Sequence, residues 1–204
     1  RFLEKMRNGA RVALSSDVIF TALCIVGLNS FFIRGVLEIQ PAIVGQILGG
    51  DSQALALATA AAGVGALLAS AWIGLGRLQS DFVQKCLWLM LVLGLIGTAA
   101  LNISGNIIWM SALFVITGFT ATTAGIGAQT LIQLEVEEAY RARVMTWWSS
   151  ISFGSLTLGG IFIGFLGDLI PIGEAIFMVM VPGAALALIA LVKLPLTRPF
   201  HSDK

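Results

Sequence analysis

Between Lys85 and Glu135 the chain runs for 49 residues without an aspartate, glutamate, lysine or arginine. No soluble fold can present such a stretch to water. The hydrocarbon core of a bilayer is about 30 Å thick and is crossed by about 20 apolar residues in a helix, so the stretch is too long for one crossing. Asn102-Ile103-Ser104-Gly105-Asn106 supplies a turn between two. The same reading along the whole chain gives six apolar segments, at residues 13–35, 52–75, 82–103, 107–132, 143–167 and 174–193. Pro171-Ile172-Gly173 separates the last two. Composition agrees: 57% of residues are hydrophobic and 11% charged, where a soluble domain carries about 25% charge. Backbone groups in lipid must be hydrogen-bonded within the segment, so the spans are helices and the fold class is an all-α membrane protein.

Residues 1–12 form a basic linker, 13–193 the six-helix domain, and 194–204 a tail. The chain opens on Arg1 rather than on methionine, which reads as a fragment or a processed chain. With the N-terminus in the cytoplasm, eleven of the twelve basic residues fall on the inside, and only Arg34 falls on the outside. Positive charge marks the cytoplasmic side, so both termini are expected there, in a multi-pass protein of the plasma (inner) membrane. Trp72, Trp88, Trp109, Trp147 and Trp148 fall toward span ends, where an indole suits the interface.

Several functions are excluded by what the chain lacks. The net charge of +1 gives no basic field for nucleic acid. Cys24 and Cys86 make neither a disulfide scaffold nor a metal site, and the single histidine, His201, stands at the C-terminal end. No base stands beside a serine at membrane depth, and no phosphate or dinucleotide fingerprint occurs. No enzyme, cofactor or metal is expected.

The polar residues inside the spans are therefore the candidates for function. Asp17, at the start of segment one, reads as a proton carrier or, with Ser15 and Ser16, as a helix cap. Arg34 can pair with Glu38 one turn on, hold an anionic substrate at an outer gate, or snorkel. Asn29 and Ser30 share its segment. Segment four is the most polar. At 100° per residue, Thr117, Thr120, Thr123 and Thr130 occupy an arc of about 140°, and Thr122, Gln129 and Gln133 a second, narrower one. Such faces line a wet cavity or bond to backbone and neighbouring helices. Ser149, Ser150, Ser152 and Ser155 follow the Trp147-Trp148 pair in segment five, a pair that reads as an interfacial anchor or as a ligand cage. Gly63 and Gly65, and the Gly160-Ile-Phe-Ile-Gly164 run, allow close helix approach. Two cytoplasmic loops carry mixed charge: Arg77, Asp81 and Lys85 in one, and Glu135, Glu137, Glu138, Arg141 and Arg143 in the other. They form either a latch that parts on opening or a solvated rim.

The order and spacing of these features resemble the C-terminal six-helix half of a major facilitator superfamily transporter, in the drug and siderophore exporter branch. RFLEKMRNGARVALSSD is similar to the basic segment that joins the two halves. LEIQPAIVGQILGGDSQALALATAAAGVGALLASAWIGLGRL is similar to the outer loop and eighth helix of that branch. LIQLEVEEAYRARVMTWWSS resembles an acidic stretch before R-G-R-V and the eleventh helix, with Ala142 in place of the glycine. GGIFIGFLGDLIP resembles the end of that helix, with Asp168 as its polar close. The loop GLGRLQSDFVQK keeps only Gly74, Arg77 and Lys85 of the family's G-x-x-x-D-R-x-G-R-R pattern.

The resemblance implies two inverted three-helix repeats in one bundle, an N-terminal six-helix half as partner, and alternating access with a small, amphipathic substrate between the halves, moved outward. Segments one and four would line the cavity. On this reading the substrate cavity is lined by Asn29, Ser30, Arg34, Thr117, Thr120 and Thr123, and Asp17, Arg77, Asp81, Arg141 and Arg143 carry protons or gate. The alternative is a non-transporting membrane scaffold, or a membrane module fused to a lipid-modifying enzyme. That reading expects the threonines to be satisfied by packing and no cavity to exist.

Overall fold

The computed structural model describes residues 16–75 and 83–193. The basic linker, the tail, and the loop carrying Arg77 and Asp81 lie outside the described residues. Six helices are long and apolar enough to cross a membrane: Asp17–Glu38, Ser52–Gly74, Val83–Ile103, Ile107–Glu135, Glu138–Leu169 and Ile172–Val192. Their number is the one expected from the sequence, and no strand occurs among the described residues.

The helix starts have local causes. Ser16 caps the first span by accepting from the Ile19 N–H. Asp51 caps the second through Gln53 and Ala54, and Asn106 caps the fourth through Ile108 and Trp109. Each side chain satisfies backbone donors that a helix start leaves unpaired. A further helix, Gln40–Leu48, follows the first span and ends at Gly49, whose φ of 58° is left-handed. The fifth span begins at Glu138, five residues earlier than expected. Only Val136 and Glu137 separate it from the fourth, so Arg141 and Arg143 stand on its first turns and not in a loop.

The second span packs most extensively on the fourth, the third lies between the fourth and the sixth, and the fifth closes on the first. The common core is made by side chains such as Ile25, Leu91, Leu95, Phe114, Ile132 and Ile163. Lipid gives helices no hydrophobic reason to associate, so close backbone contact has to supply the attraction. Glycine permits it at two places. A Cβ at Gly35 would lie 2.9 Å from the Gly159 carbonyl carbon and the Gly160 nitrogen, and Gly159 in turn abuts the Phe31 carbonyl. Between the second and fourth spans, Gly65 meets Val115 and Phe119 backbone, and Gly118 meets Ala62 backbone. The expected Gly160–Gly164 pair makes only ordinary contacts, and Gly63 has open space. The register of close approach is set by Gly159 and Gly65 instead.

The second and fifth spans are the most exposed. In each, 17% of an apolar 18-residue stretch is buried, against 61% in the first. Trp88, expected at an interface, is instead buried in the core. Its ring lies among apolar side chains because its helix is enclosed by the fourth and sixth spans.

Candidate functional site

The first span does not remain an α-helix. From Asn29 to Arg34 it widens into a π turn before returning to α at Gly35. Such turns interrupt the regular ladder and are frequent at functional sites. This one holds three of the candidate polar residues, and each reaches across to another helix. Asn29 Nδ2 donates to the Ala121 carbonyl on the fourth span at 3.1 Å. Ser30 Oγ and Ser152 Oγ of the fifth span are 3.2 Å apart. Arg34 Nη1 donates to the same Ser152 Oγ at 3.2 Å. Ser152 is thus the meeting point of the first and fifth spans.

Ser152 lies near the middle of a 32-residue helix, about 48 Å long at 1.5 Å per residue. The Arg34 guanidinium therefore sits inside the bundle and not in an outer loop. No ion pair joins it to Glu38 among the described residues; Glu38 is more exposed, while Arg34 turns inward to the serine. The local pair expected from their spacing is replaced by a contact between helices.

Arg34 lines a groove of about 510 Å³ formed by the first, second, fourth and fifth spans. Its walls are largely apolar and small: Leu37, Ala62, Gly63, Ala66, Gly118, Ala121, Gly125 and Ile126. Polar groups come from Thr59, Thr122 and Gln129, and Trp148 also lines the groove. Arg34 is the only charged residue on it among the described residues. The volume lies within the ordinary range for small-molecule sites.

The fourth span offers the second of its two arcs to this groove. Thr122 and Gln129 line it, and Gln133 lies beyond, exposed near the helix end. Thr117, Thr120 and Thr123 do not line it. All three are buried, and their hydroxyls donate to the carbonyls of Leu113, Ile116 and Phe119 on their own helix. The reason is geometric. A threonine in a helix can bond the carbonyl one turn back, and this arc packs into the core, where Thr120 faces Gly94 of the third span. The threonines are satisfied, as the scaffold reading expects, but a groove is present, as it does not.

The remaining candidates stand apart. Asp17 is exposed on the first helical turn, where a negative charge favours the positive helix end. Ser16 is the residue that caps. Arg141 is exposed, and the Arg143 guanidinium lies 5.5 Å from the centre of the Tyr140 ring. Arg77 and Asp81 fall outside the described residues, and so does the latch they would form.

Sequence reasoning misses Thr59 and names Trp148 and Ser152 only as members of the tryptophan pair and the serine run of segment five, without placing either on a site. Thr59 is one hydroxyl in an alanine-rich helix, and its Oγ1 donates to Gln40 Oε1 at 3.2 Å and to the Leu55 carbonyl. Trp148 Nε1 is buried and has no hydrogen-bond partner among the described residues, and neither has Asn29 Oδ1. The tandem Trp147-Trp148 is the sequence signal for the indole, and the serine run after it for Ser152.

No cluster of histidine, cysteine or carboxylate groups suited to a metal ion occurs among the described residues. A family model described as the Major Facilitator Superfamily matches residues 19–204. No curated protein and no solved structure matches the chain.

Proposed function

The chain belongs to the major facilitator superfamily, a family of membrane transporters, and from that premise we propose that it is the C-terminal half of a secondary transporter that exports a small amphipathic molecule. The observation that carries the reading is a groove within the spans, apolar along most of its walls, with Arg34, Thr122 and Gln129 among its polar points. A charged side chain inside a span costs several kcal/mol unless it is used, and such residues mark transport pathways. The groove draws on the first, second, fourth and fifth spans; in two inverted repeats these come from both units, where such transporters place their substrates.

The N-terminal half is the proposed partner. The second and fifth spans leave most of their surface uncovered, and a Cβ added at Gly154 of the fifth would meet nothing within 4 Å. A second six-helix bundle against these spans would enclose the groove, and rocking of the two bundles would expose it to either side in turn. We assign both termini to the cytoplasmic side of the plasma (inner) membrane. Turning Arg34 inward removes the one basic residue assigned to the outside, so positive charge then lies on the cytoplasmic side alone.

Reconstitution of the full-length protein into proteoliposomes tests this. Amphipathic fluorescent dyes should move across the membrane faster than in protein-free vesicles, with saturation and competition among dyes. Dye movement that matches empty vesicles for anionic, neutral and cationic probes alike counts against transport.

A further inference from the structure

The geometry points to the chemical class of the substrate: an amphipathic anion whose head group is received by Arg34. This rests on the transporter reading and specifies the cargo of the same groove.

Among the described residues, Arg34 carries the only charge on the groove. Its partner among the described residues is a neutral hydroxyl, Ser152 Oγ. A guanidinium has five N–H donors in a planar fork, so one bond to a serine fixes an edge and leaves most of the donors and the whole charge uncompensated. The serine is itself held by Ser30, which orients the fork. An arginine fixed in this way is suited to a carboxylate, sulfonate or phosphate, which it can bind through two parallel bonds.

A second, independent feature marks the same place. The Trp148 indole N–H is buried without a partner among the described residues and belongs to a groove-lining residue. A buried donor without a partner is costly, and an anionic oxygen is the acceptor that would satisfy the indole. Leu37, Ala62, Ala66 and Ile126 offer only apolar contact, so the body attached to the head group is hydrophobic. The anion can arrive as a free amphipathic acid or as the head group of an anionic lipid.

The test uses the full-length protein in phosphatidylcholine vesicles and a dansylated long-chain carboxylate as probe. Its methyl ester and its amine analogue serve as neutral and cationic controls. Energy transfer from tryptophan to dansyl reads binding. The carboxylate should bind saturably, the ester and amine only by partition into lipid. Arg34→Gln should weaken carboxylate binding at least about tenfold, the loss of a charge-assisted pair, and Arg34→Lys should restore part of it. Trp148→Phe should weaken it by a smaller factor, read by dansyl emission alone. Competition by added phosphatidylglycerol would assign the anion to lipid, and its absence to a free acid; either outcome supports an anion site. Equal binding of the amine, or carboxylate binding unchanged in Arg34→Gln, would overturn it. Should Arg34→Gln fail to fold, Arg34→Lys and Trp148→Phe carry the test. Binding without flux would remove the transport reading and leave this one; flux of cations without carboxylate binding would do the reverse.

Discussion

The first and fourth spans, which the proposed inverted repeats pair with each other, handle their polar residues in opposite ways. The fourth is an unbroken α-helix of 29 residues. Its buried threonines donate to carbonyls one turn back, so their protons are already committed. The first opens into a π turn, and Asn29, Ser30 and Arg34 there bond to the fourth and fifth spans. The same kind of side chain can therefore be absorbed by a regular helix or directed outward by an irregular one. Polarity within a span locates candidates, and local backbone geometry decides which of them are free to meet a neighbour or a ligand.

The largest expected effect comes from removing the contacts that hold both spans in place. Gly35→Leu and Gly118→Leu each drive a side chain into the backbone of the facing helix. A flexible side chain could yield; backbone cannot, so each substitution should cost more than about 3 kcal/mol. Thermal unfolding followed by size-exclusion chromatography should show loss of the monodisperse protein. Gly154→Ala, at a position with open space, should leave stability within about 1 kcal/mol. Equal damage from all three would mean that the two glycine contacts do not set the packing.

Next in size is Ser152→Ala. It removes the acceptor of Arg34 and the partner of Ser30 together. Hydrogen bonds to charged groups contribute about 1.5–3 kcal/mol, so transport should fall about tenfold or more. Ser30→Ala leaves the bond from Arg34 to Ser152 in place and should cost less than half as much on the free-energy scale. Reversal of that order would show that the serine pair, and not the arginine, is what Ser152 serves.

Much of this arrangement is legible in the sequence. Six spans follow from charge-free stretches with turn residues between them, because the bilayer fixes the length of a crossing. Asn29, Ser30 and Arg34 stand out as polar groups in an apolar run, and the structure brings them to one region. The π turn itself is not legible. A single wide turn leaves no periodic signature, yet it decides where Arg34 points, and the i, i+4 rule that pairs Arg34 with Glu38 cannot anticipate Ser152. Periodicity resolves the fourth span into two arcs but leaves open which of them meets a cavity. Thr117, Thr120 and Thr123 pack into the core, Thr120 against Gly94 of the third span. Which side of a helix meets its neighbours is a matter of tertiary packing that one helix's periodicity cannot settle. The glycines show the same limit: Gly160-Ile-Phe-Ile-Gly164 has the recognisable spacing, and Gly159 beside it makes the contact.

The smallest effects separate the two faces of the fourth span most cleanly. Thr122 lines the groove. Thr122→Val keeps the shape and removes the hydroxyl. If the substrate uses it, the apparent KM should rise about threefold to tenfold, the worth of one net hydrogen bond of about 0.5–1.5 kcal/mol. Thr123→Val makes the same exchange one residue on, where the proton is given to Phe119 and the side chain is fully buried. The Phe119 carbonyl keeps its place in the helical ladder, so transport should stay within about twofold and stability within about 1 kcal/mol. Cysteines placed at the two positions, with Cys24 and Cys86 replaced by serine, give the matching accessibility measurement. A polar thiol reagent should label Thr122→Cys and leave Thr123→Cys unmodified. Labelling of Thr123→Cys during turnover would show that the fourth span rotates its buried face into the pathway, and the contrast between the faces would then belong to one conformation only.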